Sequence, residues 1–535
     1  MTRTAQSVLY VRLPVWKIWP GGVVYLADFI HKERPQIRQE ILDLALVPAC
    51  RRRAVLAERI RATRPDVVAF SWRNMQTFGP HPENDALDVV MSFDHSPSPW
   101  QRLKAAWDAV GIIWDYAAAR LRNFAWLRLA RRLAPGGRLV VGGTAVSIFG
   151  KYIAEKCPPD TVVVVGEGEE AMLSIVDGFA QPAGHHYYKD AAGRVEHRPA
   201  EENFDLRRLT ATDFPYIESI FPGFREYVGP DTPSGAIGVH TKRGCPFQCH
   251  FCLYNKIEGG RQRFRDPAEV AKEVAALNHD YGVKRIWFTD AQFCSTLRSI
   301  KHVEAILDEM LARRTDVRWT GYLRLNHLTP EAARKMLASG MASIDLSFTG
   351  TQDVIDSLTL GYDLEQQMAA FRLFKDAAHA LWGGWNDTKV KLYMPLNAPG
   401  ETPATLRATG ARIRELYGLF GRDNVLPFIF FIGVQPNTPI EHRLIEAGYL
   451  KRGYDPLTLD PFIIKKLLYN PPPLGRLIGQ SYLEALARSS KLDDTGGEYV
   501  GRLTLELLEA RLDRLEREQA AAPLSRAVPV RQEGS

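Results

Sequence analysis

The chain lacks an apolar run of membrane-spanning length, and its N-terminus lacks the basic, apolar and small-residue layout of an export signal. Neither membrane insertion nor secretion is expected, so the predicted location is the reducing cytoplasm. It also lacks a strong charge of one sign. Lys and Arg number 68 against 62 Asp and Glu, a net charge of +6 spread along the sequence. That argues against nucleic acid, which needs a concentrated basic patch. Cysteine is scarce, six in 535 residues, too few for a disulfide scaffold. Cys50, Cys157 and Cys294 are scattered and read as small core residues. What remains is ordinary for a globular protein: 45% hydrophobic, 24% charged, and long enough for two or three domains.

The other three cysteines share one loop. Residues 241–254 read TKRGCPFQCHFCLY, with Cys245, Cys249 and Cys252 in the spacing CxxxCxxC. The alternating segment Ala236–His240 before them reads as a strand, which places the cysteines on a loop leaving a strand end. Three thiolates on one tight loop can hold three irons of a 4Fe–4S cluster, because soft thiolate is the ligand such clusters take. The loop has no fourth cysteine. One iron would stay open to a substrate, a cofactor or another side chain. A zinc knuckle takes four ligands as separated pairs, and a disulfide needs an oxidising compartment, so both match the loop less well.

Upstream, Ser7–Val15, Glu40–Leu46, Asp66–Trp72, Arg138–Gly143 and Asp160–Val165 read as strands alternating with helical patterns. Such alternation predicts a parallel, doubly wound, Rossmann-like α/β sheet, whose ligands sit beyond the carboxyl ends of its strands. Those ends carry Gly21 and Gly22, then Ser71, Trp72 and Arg73, then Gly142, Gly143 and Thr144, then Gly166, Glu167 and Gly168. The stretch Phe78–Trp100, holding His81, Asp94 and His95, is expected to be a solvated loop before a long helix over Trp107–Leu133.

The expected domains are 1–185, a linker over 186–234, a strand–helix domain over 235–440, and a C-terminal helical region over 441–535 with a disordered tail from Ala520. In the third, six strands predict a partial (β/α)6 barrel. Its rim should gather the cysteine loop, Asp290, Gln292, Tyr322, Arg324, Ser347, Thr349, Asn397 and Gln435 around one cavity. The C-terminal helices are expected to cap the barrel mouth.

The cysteine loop, preceded by Arg243-Gly244 and with Phe251 before its last cysteine, closely resembles the cluster loop of the radical S-adenosylmethionine (SAM) superfamily. Asn397–Thr402 and Pro436–Pro439 resemble that family's segments after the fifth and sixth strands. Trp19–Ala27, Val141–Gly143 and Gly166–Glu169 resemble, in order, segments of the cobalamin-binding domain of its cobalamin-dependent class B. The histidine motif that ligates cobalt in other cobalamin proteins is absent. The resemblance therefore implies cobalamin without a protein imidazole, with Trp72 or Arg73 near the lower face of cobalt. The glutamate that commonly follows the fourth strand and helps hold SAM is absent too, and Asp345–Gly350 stands in its place.

The resemblance implies a methyltransferase using a 4Fe–4S cluster, cobalamin and SAM. It would move a methyl group from methylcobalamin to an unactivated carbon, with electrons from an external donor of the flavodoxin or ferredoxin type. The missing glutamate, Arg73 and the chain length resemble members that methylate C2 of tryptophan in thiopeptide antibiotic biosynthesis. In those members a glutamate takes the open iron. Glu258, Glu269 and Glu273 are the candidates here, with Glu273 expected. Arg73, Glu273 and Tyr322 are the expected catalytic residues. Gly21, Gly22, Ser71–Arg73, Gly142–Thr144, Gly166–Gly168, Phe251, Asp290, Gln292, Ser347 and Thr349 are the expected cofactor contacts. The substrate class, small molecule or peptide, stays open. Two alternatives remain: ring formation or rearrangement without methylation on the same cofactors, and a non-catalytic cobalamin and cluster sensor.

Overall fold

Short apolar runs buried on both faces build the first sheet of the computed structural model, which describes residues 4–15, 17–75, 85–179, 182–200, 203–230, 236–489 and 496–521. His81 and the residues beyond 521 lie outside them. Strands β1 (Ser7–Arg12), β2 (Arg38–Asp43), β3 (Val67–Ser71), β4 (Arg138–Gly142) and β5 (Thr161–Val164) run parallel in the order 2-1-3-4-5. In β1, Val8 and Tyr10 bury on one face, while Leu9 and Val11 bury on the other. Helices α1 (Gly21–Glu33), α2 (Arg52–Thr63), α3 (Asp85–His95), α4 (Pro99–Leu133), α5 (Thr144–Lys156) and α6 (Glu169–Val176) accompany this sheet. The order reverses between β1 and β3, which opens a crevice outside their carboxyl ends.

Two expectations need correction. The sheet does not stop at residue 185, because β6 (His186–Lys189) and β7 (Val195–Arg198) add antiparallel strands beyond β5. Nor is residues 78–100 a solvated loop throughout. Its second half is α3, whose Met91 is buried, and whose Asp88 accepts a hydrogen bond from Tyr482 at 2.6 Å while Asp94 pairs with Lys465 at 2.7 Å. The signal was the apolar pair Leu87 and Met91 one turn apart.

The second sheet is an open six-stranded barrel. Strands β8 (Ile237–Val239), β9 (Arg285–Phe288), β10 (Arg318–Gly321), β11 (Ser343–Ser347), β12 (Lys389–Pro395) and β13 (Val425–Phe430) lie parallel in chain order, and the bridge between Tyr322 and Asp345 joins its two halves. Its helices start where side-chain caps meet proline, as at Asp266-Pro267, Thr329-Pro330, Thr402-Pro403 and Thr438-Pro439. A short helix α7 (Tyr254–Ile257) follows the cysteine loop, and α8 (Pro267–His279) is the first long helix of the barrel.

Near the C-terminus, α9 (Leu474–Ser489) packs on α3, while α10 (Gly496–Ala521) lies against the outer edge of β13. There Gly501 lets the helix meet the Pro427 carbonyl, and Arg502 Nη2 donates to the Val425 carbonyl at 3.2 Å. An unpaired strand edge is thereby covered, so α10 closes the barrel's side and does not cap its mouth. Among the described residues, no helix is long and apolar enough to cross a membrane.

Candidate functional site

The cysteine loop leaves β8 and is pinned from several sides. Gly244 adopts a φ of +91°, and a side chain there would meet the Arg261 carbonyl at 2.1 Å. The Cys245 N–H donates to the Gly259 carbonyl at 3.0 Å, and the Cys252 N–H to the Cys249 carbonyl at 3.0 Å. The His250 N–H donates to the Leu358 carbonyl at 3.0 Å, and the Ile440 N–H to the His250 carbonyl at 3.1 Å. Arg324 stacks on Phe247, its guanidinium carbon 3.6 Å from the ring centroid, and places Nη2 3.8 Å from Cys249 Sγ. All three thiols are free of disulfides. Burial raises the Cys249 pKa, opposed by Arg324, and pushes Cys252 up to about 11, helped by the charges of its two neighbours. Phe251 meets Phe430 edge-on at 6.1 Å, so it walls the loop.

Three buried polar atoms at the carboxyl ends of the barrel strands have no hydrogen-bond partner: Gln292 Oε1, Thr349 Oγ1 and Gln435 Oε1. Buried polar atoms are rarely left so, which marks them as waiting for a ligand or solvent. Ser347 is half-buried beside them, its carbonyl accepting from Gln367 at 3.4 Å. Asn397 is tied by its side-chain amide to Asn470 and Pro471 at 2.8 Å.

Below the rim, Tyr393 donates to the fully buried Asp345 at 3.0 Å. Tyr322 packs edge-on against Trp287 at 5.3 Å and against Tyr393 at 5.4 Å. Phe428 stacks on Tyr393 at 5.4 Å. Burial holds the Asp345 carboxyl above its ordinary pKa.

Tyr254 is the residue the sequence reading missed, although it stands only two positions after Cys252. It is 44% exposed. Its hydroxyl lies within electrostatic reach of Glu258, Cys252, Tyr322 and Arg73, and burial pushes its pKa up to about 12. Tyr254 is therefore electrostatically coupled to the cysteine loop, to the barrel and to the residues after β3. Arg73 lies between Arg12 and Tyr254, and its desolvation and the Arg12 charge lower its pKa. The Gly166 turn reaches the same region. Its φ is +74°, and a side chain there would sit 3.2 Å from the Ile257 carbonyl of α7.

Several expected cofactor contacts serve the scaffold. Trp72 is turned into the core, edge-on to Phe124 at 5.0 Å, with Nε1 donating to the Asn74 carbonyl at 2.9 Å, so it does not face the cleft. Glu167 pairs with Arg243 at 2.9 Å and Arg263 at 2.7 Å, and Glu169 pairs with Arg243 at 2.5 Å. Asp290 accepts from the Thr241 and Lys242 N–H groups at 2.9 and 3.1 Å, latching β8 to β9.

Glu273 is spent as well. It pairs with buried Arg265 at 2.7 Å, accepts from Thr212 at 3.2 Å and takes the hydrogen bond of Tyr25 from α1. Every oxygen of that carboxylate is engaged in the seam between the two sheets. Glu258 is the glutamate that reaches the cysteine loop, accepting from the Gly244 N–H at 3.1 Å, and Glu269 accepts from the Ala211 N–H at 2.7 Å. Gly21 packs on Trp19 at the start of α1, Gly22 borders open space, and Gly168 caps α6 beside Leu26. Gly143, with φ +102°, leaves room for the Trp72 carbonyl 2.6 Å from where a Cβ would stand, while Gly142 and the exposed Thr144 flank it at the strand end.

Comparison with known proteins follows the same division. Residues 239–407 match the Radical SAM superfamily. Over 283 residues the chain is 26% identical to an uncharacterized methyltransferase of Pyrococcus horikoshii, covering 51% of this chain and 59% of that protein. Over 237 residues it is 24% identical to the tryptophan 2-C-methyltransferase of Streptomyces laurentii, covering 42% of this chain and 37% of that one. The chain thus spans less than two thirds of the length of these curated relatives. The solved structure of the radical SAM methyltransferase TsrM from Kitasatospora setae, with cobalamin and a 4Fe–4S cluster bound, aligns with a TM-score of 0.60 at 16% identity, over 98% of this chain and 100% of that one. The chain carries a radical SAM domain over residues 239–407 and shares the fold of that structure.

Proposed function

We propose that the chain is a methyltransferase that holds a 4Fe–4S cluster, SAM and cobalamin in the cleft between its two sheets. It would transfer a methyl group to an unactivated carbon, with C2 of tryptophan as the favoured acceptor. The observation that carries this reading is the constrained loop of three free thiols, with the Gly166 turn of the first sheet packed against the Ile257 carbonyl of α7 just behind it.

The residues fit the three groups. Cys245, Cys249 and Cys252 are free thiols on one constrained loop, the donor set for three irons. Gln292 Oε1, Thr349 Oγ1 and Gln435 Oε1 offer unused acceptors at the rim, suited to the ammonium and hydroxyl groups of SAM. Gly142, Gly143 and Gly166 keep side chains away from the face where a flat corrin would lie, and Arg73 sets a cation there. Glu258, just after α7 and accepting from the Gly244 N–H of the loop, would take the place expected of Glu273 as the carboxylate for the open iron. Bound together, these groups supply a methyl donor, a methyl carrier and a low-potential electron source.

The chain's own side chains provide the rest. Trp287, Tyr322, Tyr393 and Phe428 give an aromatic wall against which an indole would stack. Methylation of an aromatic carbon releases one proton. The buried Asp345 carboxylate would take it up through Tyr393, which donates to it at 3.0 Å, with the Tyr322 hydroxyl passing the proton on. An external flavodoxin- or ferredoxin-type donor would keep the metal centres reduced.

Anaerobic reconstitution with SAM, cobalamin, a reductant and tryptophan tests the reading. A product heavier by one methylene together with S-adenosylhomocysteine is expected. Formation of neither S-adenosylhomocysteine nor 5′-deoxyadenosine with any reductant would refute it. Turnover without the added methylene would point to ring formation instead.

A further inference from the structure

Helix α4 carries a surface that this chemistry does not use. Trp100, Leu103, Trp107, Val110, Trp114 and Leu121 are all exposed, the three tryptophans by 79%, 79% and 72%. They recur at alternating intervals of three and four residues, the a and d positions of a heptad, so they form one stripe along the helix. The opposite face at the level of the stripe, with Ala105, is buried in the protein, and the stripe itself runs into the buried end of the helix at Phe124. Contiguous apolar patches of this size on a protein surface mark an interaction site. At ~250 Å² per indole, the exposed tryptophan area is roughly 600 Å². Leu103 and Val110 bring the stripe close to the ~800 Å² per partner of a standard protein–protein interface.

We propose that this stripe is a homodimer interface in which α4 packs antiparallel on α4 of a second copy about a two-fold axis. The register follows from the spacing. Setting Trp107 level with the partner's Val110 also sets Leu103 level with the partner's Trp114 and Trp100 level with the partner's Ala117. Each indole then meets a small or medium side chain. A parallel pairing would instead stack Trp on Trp in three successive layers, which overfills the seam.

The hole for the knob is present. Nothing lies within 4 Å of the Cβ position of Gly111, and beside it Trp107, Asp108, Ile112, Asp115 and Asp88 of α3 wall a groove of about 410 Å³. In this register the partner's Trp107 lies level with Val110, next to Gly111, with carboxylates at hand for its indole N–H.

Sedimentation velocity of the full, cofactor-loaded chain in the micromolar range tests this. A dimer is expected, weakened about 100-fold or more by Trp107→Glu or Val110→Glu, with the brown absorbance retained as the control for folding. A Leu103→Cys/Trp114→Cys variant should form an intermolecular disulfide under mild oxidation. A monomer throughout the range overturns the proposal, as does a dimer indifferent to both glutamates. A monomer that pellets with phosphatidylglycerol vesicles, and loses this with Trp107→Glu, overturns it in favour of a lipid surface.

Discussion

Replacing Glu273 with alanine should loosen the seam between the two sheets and leave the iron site alone. Arg265 and Glu273 have side chains 0% and 2% exposed and meet at 2.7 Å. Breaking such a buried pair costs about 3–5 kcal/mol, because the surviving charge stays buried without a counter-ion. Here three carbonyls, those of Leu209, His240 and Thr210, still accept from the guanidinium at 3.0, 2.7 and 3.0 Å. That places the expected loss near the lower end, about 3 kcal/mol. Glu273→Gln keeps one acceptor and removes the charge, so its loss should be smaller, about 1.5 kcal/mol. Urea denaturation followed by tryptophan fluorescence reads both losses, and electron paramagnetic resonance of the reduced cluster reads the iron site. A loss below about 1 kcal/mol with alanine, or a changed cluster signal in the folded variant, would refute the assignment and return Glu273 to the iron.

Three further changes probe the cleft. Gly244→Ala should fail to load a full cluster, since the new methyl would press on the Arg261 carbonyl at a φ of +91°; iron and sulfide per chain after anaerobic reconstitution check it. Gly143→Ala, at a φ of +102° with the Trp72 carbonyl 2.6 Å away, should displace the end of β3 and weaken cobalamin retention on gel filtration while the cluster still forms. Glu401 is held protonated by burial, its pKa raised from 4.5 to about 8. The folded state binds a proton there that the unfolded chain releases, so stability should fall as pH rises from 4.5 to 8. Glu401→Gln should flatten that slope in urea midpoints, and an unchanged slope would remove Glu401 as its source.

Local signals carried much of this architecture. Strand alternation, the glycines at strand ends and the proline-preceded caps located both sheets, because those features act within a few residues. The cysteine loop was legible for the same reason. What local spacing could not give was the direction of a side chain once a partner from far along the chain competes for it. Trp72, Glu167, Asp290 and Glu273 all stand at strand ends or on helices beside the cleft, yet each is claimed by a distant group: Phe124, Arg243, Thr241 and Tyr25. Tyr254 was overlooked because its significance depends on Arg73 and Tyr322, which lie far from it in sequence. The strands after residue 185 went unread because their pattern is short and polar, and their pairing depends on the edge left by β5.

On the proposed reading, the ion pairs that join Glu167 and Glu169 to Arg243 and Arg263 would have a kinetic meaning. Arg243 stands two residues before Cys245, and the two glutamates belong to the turn at the end of β5. Electron tunnelling falls off exponentially with separation, so a donor and acceptor on opposite sides of a mobile joint exchange electrons at a fluctuating rate. By riveting the turn to the root of the cysteine loop, these charges would hold that separation constant through turnover and leave opening for the substrate to other walls of the cleft.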